Sequence, residues 1–398
     1  MEQLSDRIKA MEESATIAMA QKARELKSKG VDVISLSLGE PDFKTPKHIC
    51  EAAKDAIDEG KYFSYSPVPG YLDLRQAIAD KLERENKLSY TPEQIVVSTG
   101  AKQSIANTFM CLLNAGDEVI VYAPYWVSYA EIIKLAEGVP VFINGDIENN
   151  FKATSDQLKE AITSKTKAVI FSSPCNPTGA VFNREELSAM AEVLADHPEI
   201  IVVADEIYEH INFSGEHVSI ASMPGMMERT VTVNGFSKGY AMTGWRLGYI
   251  AAPLPIAKAC GKIQGQFTSG TNGIAQRAAI AALNGDMAPT QEMAKAYLRR
   301  RALVLEKLQE VPGIKTYEPN GAFYIFPDVS EYFGKSDGET TINNAGDLCM
   351  YILNTAHVSL VTGEAFGAPK CVRLSYAASD EQLEEAISRI KEALSKLK

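Results

Sequence analysis

The stretch that decides the fold is RTVTVNGFSKGYAMTGWRLGYIAAP, residues 229–253. It opens on Thr230, Val231, Thr232 and Val233, a β-branched run too short for a helix and suited to a strand. It closes on a second apolar run at 246–253. Between the two lie glycines, hydroxyls and aromatics, with Lys238 and Arg246 eight residues apart. A lysine at the end of an apolar strand is costly to bury, so the question is what it does there and what holds an arginine near it.

Similar runs lie outward along the chain at 117–124 (DEVIVYAP), 167–174 (KAVIFSSP) and 199–208 (EIIVVADEIY). Helix-like segments, such as NREELSAMAEVLADH at 183–197, are expected to separate three of the four successive pairs. That alternation predicts an α/β unit with a mostly parallel sheet covered by helices. The short join between the last two runs suits an antiparallel pair.

At 398 residues the chain exceeds what one core usually holds, so two units are expected. Thr45 as a cap, Pro46 at the first helical position and Gly60 at the end mark a helix near the start of the larger one. A long helical pattern at 290–311 opens a smaller α+β unit with strands GAFYIF, VSLVTG and CVRLSYA. Its last helix starts at Ser379 and Gln382, which have capping-box spacing. Leu383, Ile387, Ile390, Leu394 and Leu397 then form one apolar face. The division is 1–47 as an N-terminal segment, 48–285 as the large domain and 286–398 as the small C-terminal domain.

A net charge of −11 argues against a nucleic-acid partner, which would need a basic surface. The cysteines at 50, 111, 175, 260, 349 and 371 form no C-x-x-C pair, and the five histidines show no metal spacing. Reduced thiols, no metal and a cytoplasmic location are expected. The first thirty residues lack the apolar core of a signal peptide, and no apolar run is long enough to span a membrane.

The polar residues cluster at strand ends. KAVIFSSP runs into Cys175, Asn176, Pro177, Thr178 and Gly179; EIIVVADEIY ends on Asp205, Glu206 and Tyr208; RTVTVNGFSK ends on Ser237 and Lys238. In parallel α/β sheets the ligand binds beyond the carboxyl ends of the strands, so Asn176, Asp205, Tyr208, Ser237 and Lys238 should meet in one crevice. Each alone reads as an ordinary turn residue. Together they supply an amine with a depressed pKa and a carboxylate in need of a cation. Pyridoxal phosphate meets both needs, since its aldehyde condenses with lysine and its ring nitrogen pairs with aspartate. Its phosphate would sit at the helix start in VSTGAKQS, near Ala101 and Lys102, with Ser237 and Arg246 adding donors. No G-x-G-x-x-G follows the first strand, and GAKQS lacks the spacing of a P-loop.

These residues stand in motifs that resemble the class I/II aminotransferases of pyridoxal-phosphate fold type I, and within them the shorter subgroup of bacterial aspartate aminotransferases. The matching motifs are SATIA (14–18), LGEPDF (38–43), YSPVPGYLDLR (65–75), PYWVSY (124–129), NPTG (176–179), ADEIY (204–208), SKGYAMTGWRLGY (237–249) and VRLSYA (372–377). The resemblance implies Lys238 as the Schiff-base lysine, Asp205 as partner of the pyridine nitrogen, and Tyr208 and Asn176 on the phenolic oxygen. It implies Trp126 over the ring, and Ala101, Lys102, Ser237 and Arg246 around the phosphate, with Tyr65 reaching it from a second subunit of a homodimer. Arg373, with Asn176 and Gly39, would take the substrate α-carboxylate. Lys102, Ser14 and Thr16 would take a distal carboxylate, and residues 1–47 would join the small domain as a lid.

The reaction implied is ping-pong transfer of an amino group from an amino acid, aspartate by the subgroup, to a 2-oxo acid such as 2-oxoglutarate. A broad or aromatic aminotransferase, a β-lyase, and a non-catalytic protein that binds the cofactor stay open as alternatives. Two positions depart from the family pattern: Cys175, where asparagine is usual, and Thr362-Gly363, where Pro-Gly is usual. Cys175 reads as a small buried filler, and Ser14 and Thr16 read equally well as helix caps.

Overall fold

The structure is a computed structural model that describes residues 3–398. Short extended segments in the first two-thirds of the chain are β1 (Ile34–Ser35), β2 (Ile95–Ser98), β3 (Glu118–Ala123), β4 (Val139–Asn144), β5 (Thr166–Ser172), β6 (Ile201–Asp205), β7 (Thr230–Gly235) and β8 (Gly248–Ala251). Seven of them form one sheet in the order β2-β8-β7-β6-β5-β3-β4. Pairs from β4 through β7 are parallel, whereas β8 runs antiparallel to both β7 and β2. The five runs read from the sequence are β3, β5, β6, β7 and β8, including the antiparallel join.

Two strands of this seven-stranded sheet are not visible in the sequence pattern. β2 is four residues long and passes at once into a helix start, so its pattern has no room to show. β4 carries Pro140 and leaves Val139 and Phe142 exposed, which fits an edge strand, where a missing N–H and a polar face are tolerated.

One expectation is corrected. No α-helix lies between β6 and β7; the crossover carries two 3-10 turns, Ile220–Ser222 and Met227–Arg229. Gly215, Pro224 and Gly225 break any longer helix there, the two glycines having positive φ. α-Helices therefore separate two of the four successive pairs rather than three.

Thr45 is corrected too. The helix Lys47–Asp58 begins after Pro46 and receives no side-chain cap. Thr45 Oγ1 instead donates to the Ala241 carbonyl (2.7 Å) and accepts from Trp245 Nε1 (3.0 Å), tying the helix start to the loop after Lys238.

The remaining strands are β9 (Tyr324–Ile325), β10 (Val358–Ser359), β11 (Val361–Thr362) and β12 (Val372–Ser375). The β11-β12-β9 sheet is antiparallel, and β10 pairs in parallel with β1 from the N-terminal segment. Helices Ala288–Gln309, Ala345–Ala356 and Asp380–Leu394 cover these small sheets. The capping box at Ser379 and Gln382 forms as read. Met19 and Ala23 of the N-terminal helix Ala15–Ser28 share this core with Tyr297, Ile352 and Ile390, so the two ends of the chain bury one another. Thr362, at the site of the missing proline, caps a 3-10 turn by accepting from the Glu364 N–H. No helix among the described residues is long and apolar enough to cross a membrane.

Candidate active site

A cavity of about 450 Å³ opens beyond the carboxyl ends of β5, β6 and β7. Its lining includes Asn176, Asp205, Tyr208, Ser237 and Lys238, so the strand ends converge although the residues span more than sixty positions. Ala101, Lys102, Trp126, Arg246, Gly39, Arg373, Ser14 and Thr16 line it as well. Tyr65 does not; it is 95% exposed on the surface of the chain.

Lys238 follows β7, whose six residues are all buried, and that burial sets the position of its amine. Desolvation lowers the amine to about 8, Arg373 and Arg246 push the same way, and Glu40 opposes them. Lys238 Nζ donates to the Gly39 carbonyl and lies 5.6 Å from the Tyr208 ring centre.

Asp205 is the last residue of β6 and is 5% exposed. Burial raises its carboxyl to about 6, against the pull of the Tyr129 O–H, which donates to Oδ2 at 2.6 Å, and of the Ile207 N–H. The cavity therefore holds a carboxylate whose charge lacks a close cation.

At the start of the helix Ala101–Leu112, the Gln103 N–H donates to the Gly100 carbonyl at 3.0 Å, while the Ala101 and Lys102 N–H groups have no acceptor in the preceding turn. Gly100 turns into it with φ +85°, and a Cβ there would overlap the Arg246 guanidinium. Arg246 has no carboxylate partner among the described residues, and one of its nitrogens donates to the Thr243 carbonyl at 3.0 Å. A helix start, a free guanidinium and the Ser237 hydroxyl make a cradle for a phosphate.

Arg373, on β12, is buried between the rings of Tyr324 (4.6 Å) and Phe366 (4.9 Å). Nη1 donates to Asn176 Oδ1 at 2.8 Å and Nη2 to the Ser37 carbonyl at 2.6 Å, leaving Nε buried without a partner. Lys102 Nζ sits 4.9 Å over the Trp126 ring, and desolvation lowers its pKa. Ser14 occupies the N-cap position of its helix yet makes no capping hydrogen bond.

The sequence singled out neither Tyr129 nor Tyr324. Tyr129 stands in the quoted PYWVSY motif, and only its bond to Asp205 reveals a role. Tyr324 stands in the strand pattern GAFYIF; its hydroxyl meets the Tyr208 hydroxyl at 2.6 Å. Cys175 turns its thiol to the Pro124 carbonyl, and burial raises its pKa, in keeping with a filler. His210 and His217 approach Glu85, Glu206 and Glu209, but the Glu209 carboxylate is already bonded by Lys81, Asn86 and Asn234.

An amine near 8, a carboxylate short of a cation, an anion cradle and the flat face of Trp126 in one cavity fit a phosphorylated pyridine aldehyde. The comparisons agree. Residues 31–390 match the family model for aminotransferase class I and II. A bifunctional aspartate aminotransferase and glutamate/aspartate-prephenate aminotransferase of Petunia hybrida is 48% identical, over 99% of this chain and 83% of its own. The aspartate aminotransferase of Rhizobium meliloti superposes with a TM-score of 0.96 at 41% identity, over 100% of both chains. That of Thermus thermophilus with maleate does so at 0.93 and 42%, over 99% of this chain and 100% of its own.

Proposed function

The chain belongs to the class I and II aminotransferases, which work with pyridoxal phosphate, and from that premise we propose that it moves an amino group from aspartate to 2-oxoglutarate. The observation that carries this reading is the cavity in which Lys238 lies with Asp205, the Arg246 cradle and the buried fork of Arg373.

When bound, the cofactor supplies the aldehyde that accepts the amino group and a protonated ring that draws electrons from the substrate α-carbon. Asp205 keeps that ring nitrogen charged. Lys238, with its amine near 8, takes the α-carbon proton and returns it across the cofactor, first as base and then as acid. The backbone N–H groups of Ala101 and Lys102, with the Ser237 hydroxyl and the Arg246 guanidinium, hold the phosphate, and Trp126 covers one face of the ring. Asn176 accepts from Arg373 through Oδ1, which leaves its amide N–H groups to donate to the phenolic oxygen beside Tyr208. Arg373 takes the α-carboxylate in a two-pronged grip, with Asn176 and Gly39 beside it.

Lys102, Ser14 and Thr16 bind the distal carboxylate of the four-carbon substrate. In support, the Ser14 hydroxyl is not spent on a helix cap, and the Thermus neighbour carries maleate, itself a four-carbon dicarboxylate. Two copies of the chain form the working unit, with the exposed Tyr65 of each reaching the other's phosphate. Residues 48–285 act as the cofactor-binding domain, and 1–47 with 286–398 as the part that closes over the substrate. Prephenate is a second acceptor to consider, because the Petunia relative is named for it and prephenate is also a 2-oxo acid with a second carboxylate.

The test is a transamination panel of aspartate, glutamate, alanine, phenylalanine and tyrosine against 2-oxoglutarate, oxaloacetate and prephenate. Aspartate should give the highest kcat/KM. A larger value for alanine or an aromatic amino acid overturns the substrate reading, and elimination of the side chain in place of transfer overturns the reaction. Lys102→Ala should raise KM for aspartate and spare alanine.

A further inference from the structure

We propose that Tyr324 is a positioning residue that links substrate capture by Arg373 to the state of the cofactor, acting through the hydroxyl of Tyr208; this rests on the site roles proposed above.

The geometry is specific. Tyr324 lies on β9, which pairs with β12; Tyr324 faces Ser375 in register, two residues from Arg373. Its ring packs against the Arg373 guanidinium at 4.6 Å. Its hydroxyl crosses to the other unit of the molecule and meets the Tyr208 hydroxyl at 2.6 Å. Both side chains are buried, and among the described residues the Tyr324 hydroxyl has no other hydrogen-bond partner. The approach needs Gly39, since a Cβ at that position would overlap the Tyr324 oxygen. Gly39 is also the residue whose carbonyl accepts from Lys238.

Hydrogen counting gives the direction. Each hydroxyl has one proton, and a single proton lies between the two oxygens. If Tyr208 gives its proton to the phenolic oxygen of the cofactor, the proton between the tyrosines must come from Tyr324. Tyr208 then accepts from Tyr324 while it donates to the cofactor, and in such a chain each bond strengthens the next. Removing the Tyr324 hydroxyl weakens the Tyr208 donation and leaves a buried oxygen short of a donor. A weaker donor stabilises the phenolate less, so the lysine-bound cofactor holds its proton to higher pH. Because Tyr324 rides on the sheet that carries Arg373, a shift of that sheet as the α-carboxylate binds moves the donor as well.

The experiment uses Tyr324→Phe, which keeps the ring beside Arg373, together with Tyr208→Phe and the double variant, each as holoenzyme. The first measurement is the pH midpoint of the visible absorbance change without substrate. The second is kcat and KM for aspartate. Tyr324→Phe should raise the midpoint by about half a unit to one unit, in proportion to one hydrogen bond. It should lower kcat more than it raises KM. In the Tyr208→Phe background the same substitution should leave the midpoint where it is, since the link is already cut. A midpoint unmoved by Tyr324→Phe, when Tyr208→Phe moves it, overturns this proposal and leaves the site roles intact. A midpoint unmoved by Tyr208→Phe overturns the site reading itself. A rise in KM alone would place the Tyr324 hydroxyl on the substrate carboxylate, and would overturn the link. Circular dichroism and the affinity of the apoprotein for pyridoxal phosphate show whether each variant is folded and can be loaded.

Discussion

The Tyr129 hydroxyl donates to the Asp205 carboxylate at 2.6 Å, and that bond is not enough to keep the carboxylate at its ordinary acidity. Burial wins and raises the carboxyl to about 6. The apoprotein therefore pays for an ionised Asp205 at neutral pH, and a cation on the ligand removes that cost. The same contact fixes the carboxylate, because the tyrosine is itself buried and packed edge-on against Trp126.

The consequence is a trade between stability and binding at Asp205. Its raised pKa means the folded apoprotein holds a proton that the unfolded chain has released between about pH 4 and 6. Stability from this group therefore falls as pH rises through that window, by about 3 kcal/mol in all. Asp205→Asn keeps the shape and the Tyr129 bond. Denaturant unfolding of the apoprotein should find the variant more stable than the parent at pH 7.5, with the gap closing toward pH 4. The variant should also bind pyridoxal phosphate more weakly and lose roughly 10²-fold or more in kcat. A variant less stable than the parent at pH 7.5 would contradict the account of the carboxylate.

Lys238→Ala should remove turnover by at least about 10⁴-fold while the far-ultraviolet spectrum stays unchanged. The apoprotein should not lose stability at pH 7, because the substitution removes a desolvated amine held down to about 8. Normal turnover in this variant would remove the basis of the mechanism.

Much of this site was legible because a sheet places the ends of its strands together. Asn176, Asp205, Tyr208, Ser237 and Lys238 each follow a recognisable apolar run, so convergence could be read without coordinates. Tyr129 and Tyr324 could not be found that way. Tyr129 lies in the first turn of the helix Ser128–Leu135, where its spacing is that of a core residue. Tyr324 reaches the site through the approach of β9 to the turn after β6 that carries Tyr208, a relation that local pattern does not encode. The fold was misread for related reasons: Pro140 hid β4, and two 3-10 turns replaced the helix expected before β7.

Arg373→Lys should separate charge from shape. The guanidinium is gripped by two rings and by Asn176 and Ser37, and a lysine keeps the charge without the planar fork. Loss of two-pronged binding should raise KM for aspartate and for 2-oxoglutarate alike, by about 10²-fold, or about 3 kcal/mol. Steady-state kinetics in both directions measures it. An effect on only one of the two substrates would mean that Arg373 does not hold the carboxylate they share.

Behind the site, Glu209 joins the turn that follows β6 to β7 and to the end of the helix Leu72–Lys81. Lys81, wholly buried, donates to Glu209, and Asn86 and Asn234 donate to the same carboxylate at 2.9 and 2.7 Å. Burial alone would raise the Glu209 carboxyl, but Lys81 first, then His210 and His217, draw it well below the usual carboxylate range. A lowered carboxyl stabilises the fold above its unfolded pKa, and that stability is lost as pH falls toward the folded value. Glu209→Gln removes the nearer carboxylate from the buried Lys81 ammonium, leaving it Glu85 Oε2 at 3.6 Å and Asn86 Oδ1 at 2.8 Å, at a cost of about 3 kcal/mol. Lys81→Met combined with Glu209→Gln should recover much of that loss, since no charge is then stranded. Chemical unfolding of the three variants at pH 7 provides the measurement. If the double variant were as unstable as the two single losses added, the ion pair would not be the source of the stability.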